Sequence, residues 1–253
     1  MKKAERRKKI LDLVRSKGQV DFQELQKCIP DVSDITIRRD LEELDQEKLL
    51  VRIRGGAKSL ESIISTWEEA FPNRMMEHRE EKQLIAEKAV TLIEAQQSIF
   101  LDSGSTATFL AEAIPDIEVD IFTTGLTCAM ELCNLQKARI QLIGGKANRN
   151  SYSTNGDVGV AQILSLRFQI AFLGATGYIP GYGFVTTVAD DYILKRTIVK
   201  NSKKIVMILD SSKEGKEGTY LFAGLTDVDV IVGDGQLSQK AKEDLKKHNI
   251  IIL

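Results

Sequence analysis

The chain has 253 residues, of which 43% are hydrophobic and 28% charged, with a formal net charge of −1 and three cysteines. That length holds two domains, and the composition is that of a folded globular protein, which excludes a disordered chain. No run approaches the ~18 apolar residues of a membrane span, and the basic stretch from Lys2 to Lys9 leads into an amphipathic pattern rather than an apolar signal core, so a cytoplasmic protein with no membrane partner is expected.

Taken in chain order, Ile10, Leu11 and Val14 predict a helix from Ala4 to Lys17, and Phe22 with Leu25 a shorter one from Asp21 to Cys28. Ser33 reads as the N-cap of a third helix, its hydroxyl accepting from a backbone N–H of the first turn, with Val32 and Ile37 as a hydrophobic staple. Ile37, Leu41 and Leu44 recur at i, i+4 and i+7 as the buried stripe, which turns Thr36, Arg38, Arg39 and Glu42 outward. Three short helices make a helix-turn-helix. Leu49 to Ile53 then reads as a strand, and Gly55-Gly56 permits the tight turn of a wing whose Arg52 and Arg54 reach phosphates or a minor groove. An Arg-Arg pair alone is ordinarily a solvated helix face; here the charge distribution argues otherwise. Residues 1 to 58 hold 15 lysines and arginines against 11 acids, whereas residues 59 to 253 hold 20 against 25. The basic excess lies where the motif lies, which points to double-stranded DNA as a partner.

Residues 59 to 81 are polar and charged around Trp67, Phe71 and Pro72 and read as a linker, with Trp67 a candidate transmitter between domains 1–58 and 82–253. From Lys82 the pattern changes. A helix near 82 to 94 is followed by strands at Ser98 to Asp102, Val119 to Thr123, Ile140 to Ile143, Ile170 to Leu173, Ile205 to Leu209, Val228 to Val232 and Ile250 to Ile252, with a helix beginning at Ser105. Strands interleaved with helices imply a mainly parallel α/β sheet, and ligands of such sheets collect at the carboxyl ends of the strands. The first strand-end loop, Asp102-Ser103-Gly104-Ser105-Thr106, offers backbone N–H groups, hydroxyls and a helix N-terminus to an anion, which suits a phosphate; simple helix capping is the competing reading. Gly144-Gly145-Lys146, Gly174 to Gly177 and Asp210 to Lys213 are further strand-end loops that one pocket can gather. Cys28, Cys128 and Cys133 form no C-x-x-C pair, and His78 and His248 lie far from them, so buried or half-buried thiols are expected and no metal or cofactor is called for.

Ser33, the run Thr36 to Leu41 and the wing closing Arg54 to Ala57 together resemble the N-terminal signature of the DeoR family of bacterial transcription regulators. Glu47-Lys48 stands where that family often has a glycine. The strand-end loops are similar to the family's C-terminal sensor domain, itself like ribose-5-phosphate isomerase and CoA-transferase folds. The resemblance implies a repressor of a carbohydrate-metabolism operon, assembled as a homodimer or homotetramer, whose effector is a phosphorylated sugar. By the same likeness Ser103 to Thr106 would hold the phosphate, Lys213 would add charge, and Asp191 and Lys195 would stand at the pocket edge. Gly125, Gln169 and Gly233 depart from that pattern, where relatives carry asparagine, aspartate and threonine. The alternative is a sugar-phosphate isomerase-like enzyme, which needs a carboxylate base. The segment from Val158 to Ala189 contains no acid at all. Nor does the glycine spacing after Leu173 fit a dinucleotide fingerprint or a P-loop.

Overall fold

The computed structural model describes residues 3–30, 32–53, 55–59 and 71–253. The chain divides into two compact units, Met1–Thr66 and Trp67–Leu253. Arg54, Trp67 and the rest of residues 60–70, within the segment read as a linker, lie outside the described residues.

In the first unit the helices are Lys3–Lys17, Phe22–Cys28 and Asp34–Gln46. Their apolar stripes converge, and Ile10, Val14, Leu25, Ile37, Leu41 and Leu44 are fully or almost fully buried together. Asp21 starts the second helix through a capping box: its carboxylate accepts from Glu24 N at 2.8 Å, while Glu24 accepts from Asp21 N at 3.3 Å. Ser33 is the N-cap of the third helix, but not as expected. Its hydroxyl meets Thr36 Oγ1 at 2.9 Å and makes no backbone bond, because the carbonyl of Ser33 takes the first-turn amides of Thr36 and Ile37. The strand expected from Leu49 is shorter, Val51–Ile53, and pairs with Gly56–Lys58, which pairs with a third strand, Gln19–Asp21, that the sequence did not announce. The glycine pair has two reasons. Gly55 has φ +90, and a Cβ on Gly56 would lie 2.1 Å from Val20 O.

The second unit is built on a seven-stranded parallel sheet. Its spatial order is Ile251–Ile252, Val230–Val232, Ile205–Ile208, Ile170–Leu173, Ser98–Leu101, Asp120–Thr123, Arg139–Leu142. The central strands Val230–Val232, Ile205–Ile208, Ile170–Leu173 and Ser98–Leu101 are apolar runs because both faces are covered, whereas the edge strand Arg139–Leu142 is largely exposed. On one face Ile99, Leu101, Phe172 and Ile208 pack with the helices Arg79–Ala89, Ser105–Ala113 and Leu126–Leu132. On the other, Phe100, Ala171, Leu173 and Met207 pack with Ala189–Asn201 and Gln239–Lys247. Winding runs outward from Ser98–Leu101 in one direction, then restarts beside it at Ile170–Leu173. That reversal opens a crevice at the carboxyl ends of these two strands.

Two smaller sheets, not expected from the sequence, overlie those ends: a hairpin of Lys146–Asn148 with Ser153–Asn155, and an antiparallel trio of Gly177–Ile179, Gly183–Thr186 and Tyr220–Gly224. Pro72, in the segment read as a linker, sits in the first turn of a helix, Phe71–Met76, where its missing N–H costs nothing. Phe71 is buried, stacks on Tyr152 at 5.0 Å, and donates its N–H to Asn150 O at 2.9 Å. The thiols also differ from expectation. Cys128 is buried, but Cys28 and Cys133 are exposed, each at the C-terminal end of a short helix whose buried face lies elsewhere. Among the described residues no helix is long and apolar enough to cross a membrane.

Candidate functional site

Two surfaces gather functional side chains, one in each unit. On the helix Asp34–Gln46, Arg38 and Arg39 are exposed, opposite the buried Ile37, Leu41 and Leu44. The Arg38 guanidinium lies 4.3 Å from the centre of the Phe22 ring, so an aromatic face orients it while leaving its N–H edges outward. Arg39 pairs with Glu43 at 3.6 Å, its side chain 80% exposed. Arg52 is exposed on the wing strand. Asp40, between these arginines and the core, is buried and receives both Arg6 Nη2, at 3.0 Å, and Arg6 Nε. It joins the helix Asp34–Gln46 to the first helix.

In the second unit a crevice of about 200 Å³ lies at the carboxyl ends of Ser98–Leu101 and Ile170–Leu173. Its floor is a polar network. Asp102 Oδ2 accepts from Gly174 N at 2.9 Å and from Lys195 Nζ at 2.9 Å, and Lys195 also donates to Gly174 O at 2.8 Å. Asp191 Oδ2 lies 3.5 Å from Lys195 Nζ and accepts from the Thr186 hydroxyl at 2.7 Å. Burial pushes the Asp102 carboxyl up from the ordinary aspartate range, against the pull of the Lys195 ammonium. Asp102 Oδ1 is buried and has no hydrogen-bond partner among the described residues.

The wall beside this floor is the Ser103–Thr106 turn. Gly104 has φ +103, a conformation a side chain would resist, and it is the N-cap of the helix Ser105–Ala113, whose first-turn amides carry the positive end of the helix dipole. A Cβ on Gly104 would come 3.8 Å from Arg74 Nη1, so this guanidinium sits over the turn. Lys213 and Lys216 line the same crevice, with Ser151, Ser153 and Asn155 from the hairpin. Arg74 is held in turn by Lys82, whose ammonium is buried and donates to the carbonyls of Arg74 and, at 2.5 Å, Glu77. Burial pushes the Lys82 pKa down. Donors, hydroxyls and cations at one end, with a hydrogen-bonded acid–lysine floor at the other, suit an anionic ligand carrying hydroxyl groups.

Of the residues singled out in the sequence, Ser103, Gly104, Ser105, Thr106, Gly174, Asp191, Lys195 and Lys213 line the crevice, with Asp102 beneath it. Gly144 and Gly145 do not line it. Gly145 lets the hairpin close, since a Cβ there would meet Asn155 O at 2.4 Å, and Gly144 N donates to Gln162. Lys146 also lies outside the lining. Gln169 sits at the amino end of its strand, where its side-chain Oε1 accepts from Ser98 N at 2.7 Å, far from the strand ends that bear the crevice. Gly233 precedes Asp234, which accepts from both the amide and the hydroxyl of Ser211 and so shapes the Asp210–Lys213 turn. The sequence reading missed Arg74, Lys216 and the hairpin's polar residues. Only the hydroxyl-rich run Ser151 to Asn155 carried any signal.

Residues 6–63 of the chain match the DeoR-like helix-turn-helix domain, and residues 77–235 match the DeoR C terminal sensor domain. The HTH-type transcriptional regulator GolR of Listeria innocua is 31% identical over 239 residues, covering 93% of this chain and 92% of that protein. The lactose phosphotransferase system repressor of Staphylococcus aureus is 30% identical over 251 residues, covering 96% of each. Among solved structures, ribose 5-phosphate isomerase A from Methanocaldococcus jannaschii overlaps 54% of each chain with a TM-score of 0.40 and 17% identity.

Proposed function

The chain belongs to the DeoR family of helix-turn-helix transcriptional regulators, and from that premise we propose that it represses a carbohydrate-metabolism operon and is released from, or rearranged on, its operator by a phosphorylated sugar. It is a regulator rather than an enzyme. In this reading Ser33, Thr36, Arg38 and Arg39 enter the major groove, Arg52 and Arg54 of the wing contact the backbone, and paired half-sites are met by a homodimer or homotetramer. The relative named a lactose phosphotransferase system repressor supports both the repression and the link to carbohydrate.

The observation that carries the effector assignment is the Ser103–Thr106 turn at the topological reversal of the sheet, with Arg74 over Gly104 and Lys213 in the same wall. A phosphate placed there receives helix N-terminal amides, hydroxyls and two cations at once. Its sugar hydroxyls then meet Asp102, Lys195 and Asp191. These carboxylates are engaged by Gly174 N, Lys195 and Thr186, so they accept and orient rather than stand ready to take a carbon-bound proton. The ligand controls the operator only through a difference in its affinity for two arrangements of the protein.

The test is Thr106→Asp, which sets a carboxylate where the phosphate would lie, at a first-turn position that accepts an acid without unfolding the helix. Calorimetry against a panel of triose, pentose and hexose monophosphates should show binding by the parent and none by the variant, while gel-shift affinity for DNA is unchanged and no longer responds to the sugar. A variant that still binds the same sugar phosphate normally would place the anion elsewhere.

A further inference from the structure

Ile35 is the most exposed large apolar side chain among the described residues, at 79%. An isolated exposed isoleucine is ordinary; the position of this one is not. It lies on the helix Asp34–Gln46 at i, i+3, i+4 and i+7 with Arg38, Arg39 and Glu42, the stripe opposite the buried Ile37, Leu41 and Leu44. The two ends of that stripe differ in charge. Toward the C-terminus the stripe ends on Glu42, beside Glu43, Asp45 and the cap residue Glu47, with Glu43 taken up by Lys3 at 2.6 Å and Glu47 by Arg7. Toward the N-terminus the side chain of Asp34 is drawn aside by Gln26, leaving Ile35 flanked by the two arginines and by the positive end of the helix. A polyanion therefore approaches the first turn and a half, and residues at the start of a recognition helix are those that meet base edges.

We propose that Ile35 is a specificity-determining residue of this regulator, reading the C5 methyl groups of thymine in the major groove; the inference rests on the DNA-binding reading above. Thymine is the base that presents an apolar group in that groove, so an apolar side chain there distinguishes it from cytosine and from uracil. Arg38, stacked on Phe22, and Arg39 bracket the isoleucine and fix its depth against the bases.

The experiment uses the full chain. Bound duplexes are selected from a random-sequence pool, and each thymine of the selected site is then replaced singly by deoxyuridine, which removes only the methyl group. The parent should lose about fourfold in affinity at one thymine of each half-site, the effect of returning one methyl-sized contact to water. Ile35→Ala should bind thymine and uracil duplexes equally at that position and keep its other preferences; Ile35→Val should retain part of the difference. Because the side chain is exposed, neither variant disturbs the fold. Discrimination by Ile35→Ala equal to that of the parent at every position would overturn the assignment while leaving DNA binding intact, as would a parent indifferent to every substitution. Failure to select any duplex would instead remove the DNA-binding reading, and this inference with it.

Discussion

Lys48 shows how much one backbone position can hold. It ends the recognition helix with φ +55, and the surrounding bonds form a two-bond terminating turn: Lys48 N donates to Asp45 O and Leu49 N to Leu44 O, each at 2.9 Å. Glycine is the usual occupant of such a site. An L-residue there pays for the contact of its Cβ with the following carbonyl, about 1 kcal/mol or more, and glycine returns part of that as chain entropy in the unfolded state. The side chain of Lys48 is exposed, so its removal costs no packing. Lys48→Gly should therefore stabilise the first unit by about 0.5–1 kcal/mol, read as a shift in the denaturant midpoint without a change of slope. An unchanged or lower midpoint would show that the turn carries no strain. The family's glycine at this point had a conformational cause that the residue type alone concealed.

Between elements, the contact that fixes the recognition helix is Asp40 with Arg6. The pair is nearly closed to solvent, with side-chain exposures of 11% for Arg6 and 2% for Asp40. Truncating one partner leaves the other charge buried and unpaired, which costs about 3 kcal/mol or somewhat more. Asp40→Ala should lower the stability of the first unit by that amount, and adding Arg6→Met should restore a good part of it; equal stability of Asp40→Ala and the parent would make the pair incidental. The elements that were legible in the sequence are those whose signal is local. Ile37, Leu41 and Leu44 repeat with the helical period, and the central strands are short apolar runs bounded by polar turns. The strand Gln19–Asp21 has three residues and one buried side chain, Val20, too little for a periodicity to register. The hairpin and the antiparallel trio over the crevice are defined by pairing between distant segments, which no window of sequence displays. Gly144 and Gly145 matched a phosphate loop in composition but lie outside the crevice lining, where Gly145 permits the close approach of Asn155 O, a need that glycine meets as readily as it meets a phosphate.

At the scale of the whole molecule, the sensor cannot begin where the sequence pattern changes. Arg74 reaches the Ser103–Thr106 end of the crevice from the helix Phe71–Met76, in a segment whose polar composition read as linker, and nothing in that composition connects it to Gly104. Lys82 adds a second dependence, because its buried ammonium is satisfied by carbonyls of Arg74 and Glu77. A fragment starting at Lys82 loses the cation over the turn and leaves an ammonium buried without those acceptors. We therefore expect the fragment Trp67–Leu253 to fold and to bind a sugar phosphate as the full chain does, and a fragment beginning at Lys82 to bind it at least about tenfold more weakly and to melt earlier. Arg74→Ala within Trp67–Leu253 separates the two effects. It keeps the backbone carbonyls that receive Lys82, so its melting temperature should stay close to the parent fragment's, while affinity falls by the ~1.5–3 kcal/mol of a charge-assisted hydrogen bond. Neither fragment carries Arg38, Arg39 or Arg52, and neither should shift DNA in a gel. Calorimetric titration of the three proteins with one sugar phosphate decides the matter: equal affinity with and without the Arg74 guanidinium would remove that residue from the site and return Phe71–Met76 to a packing role.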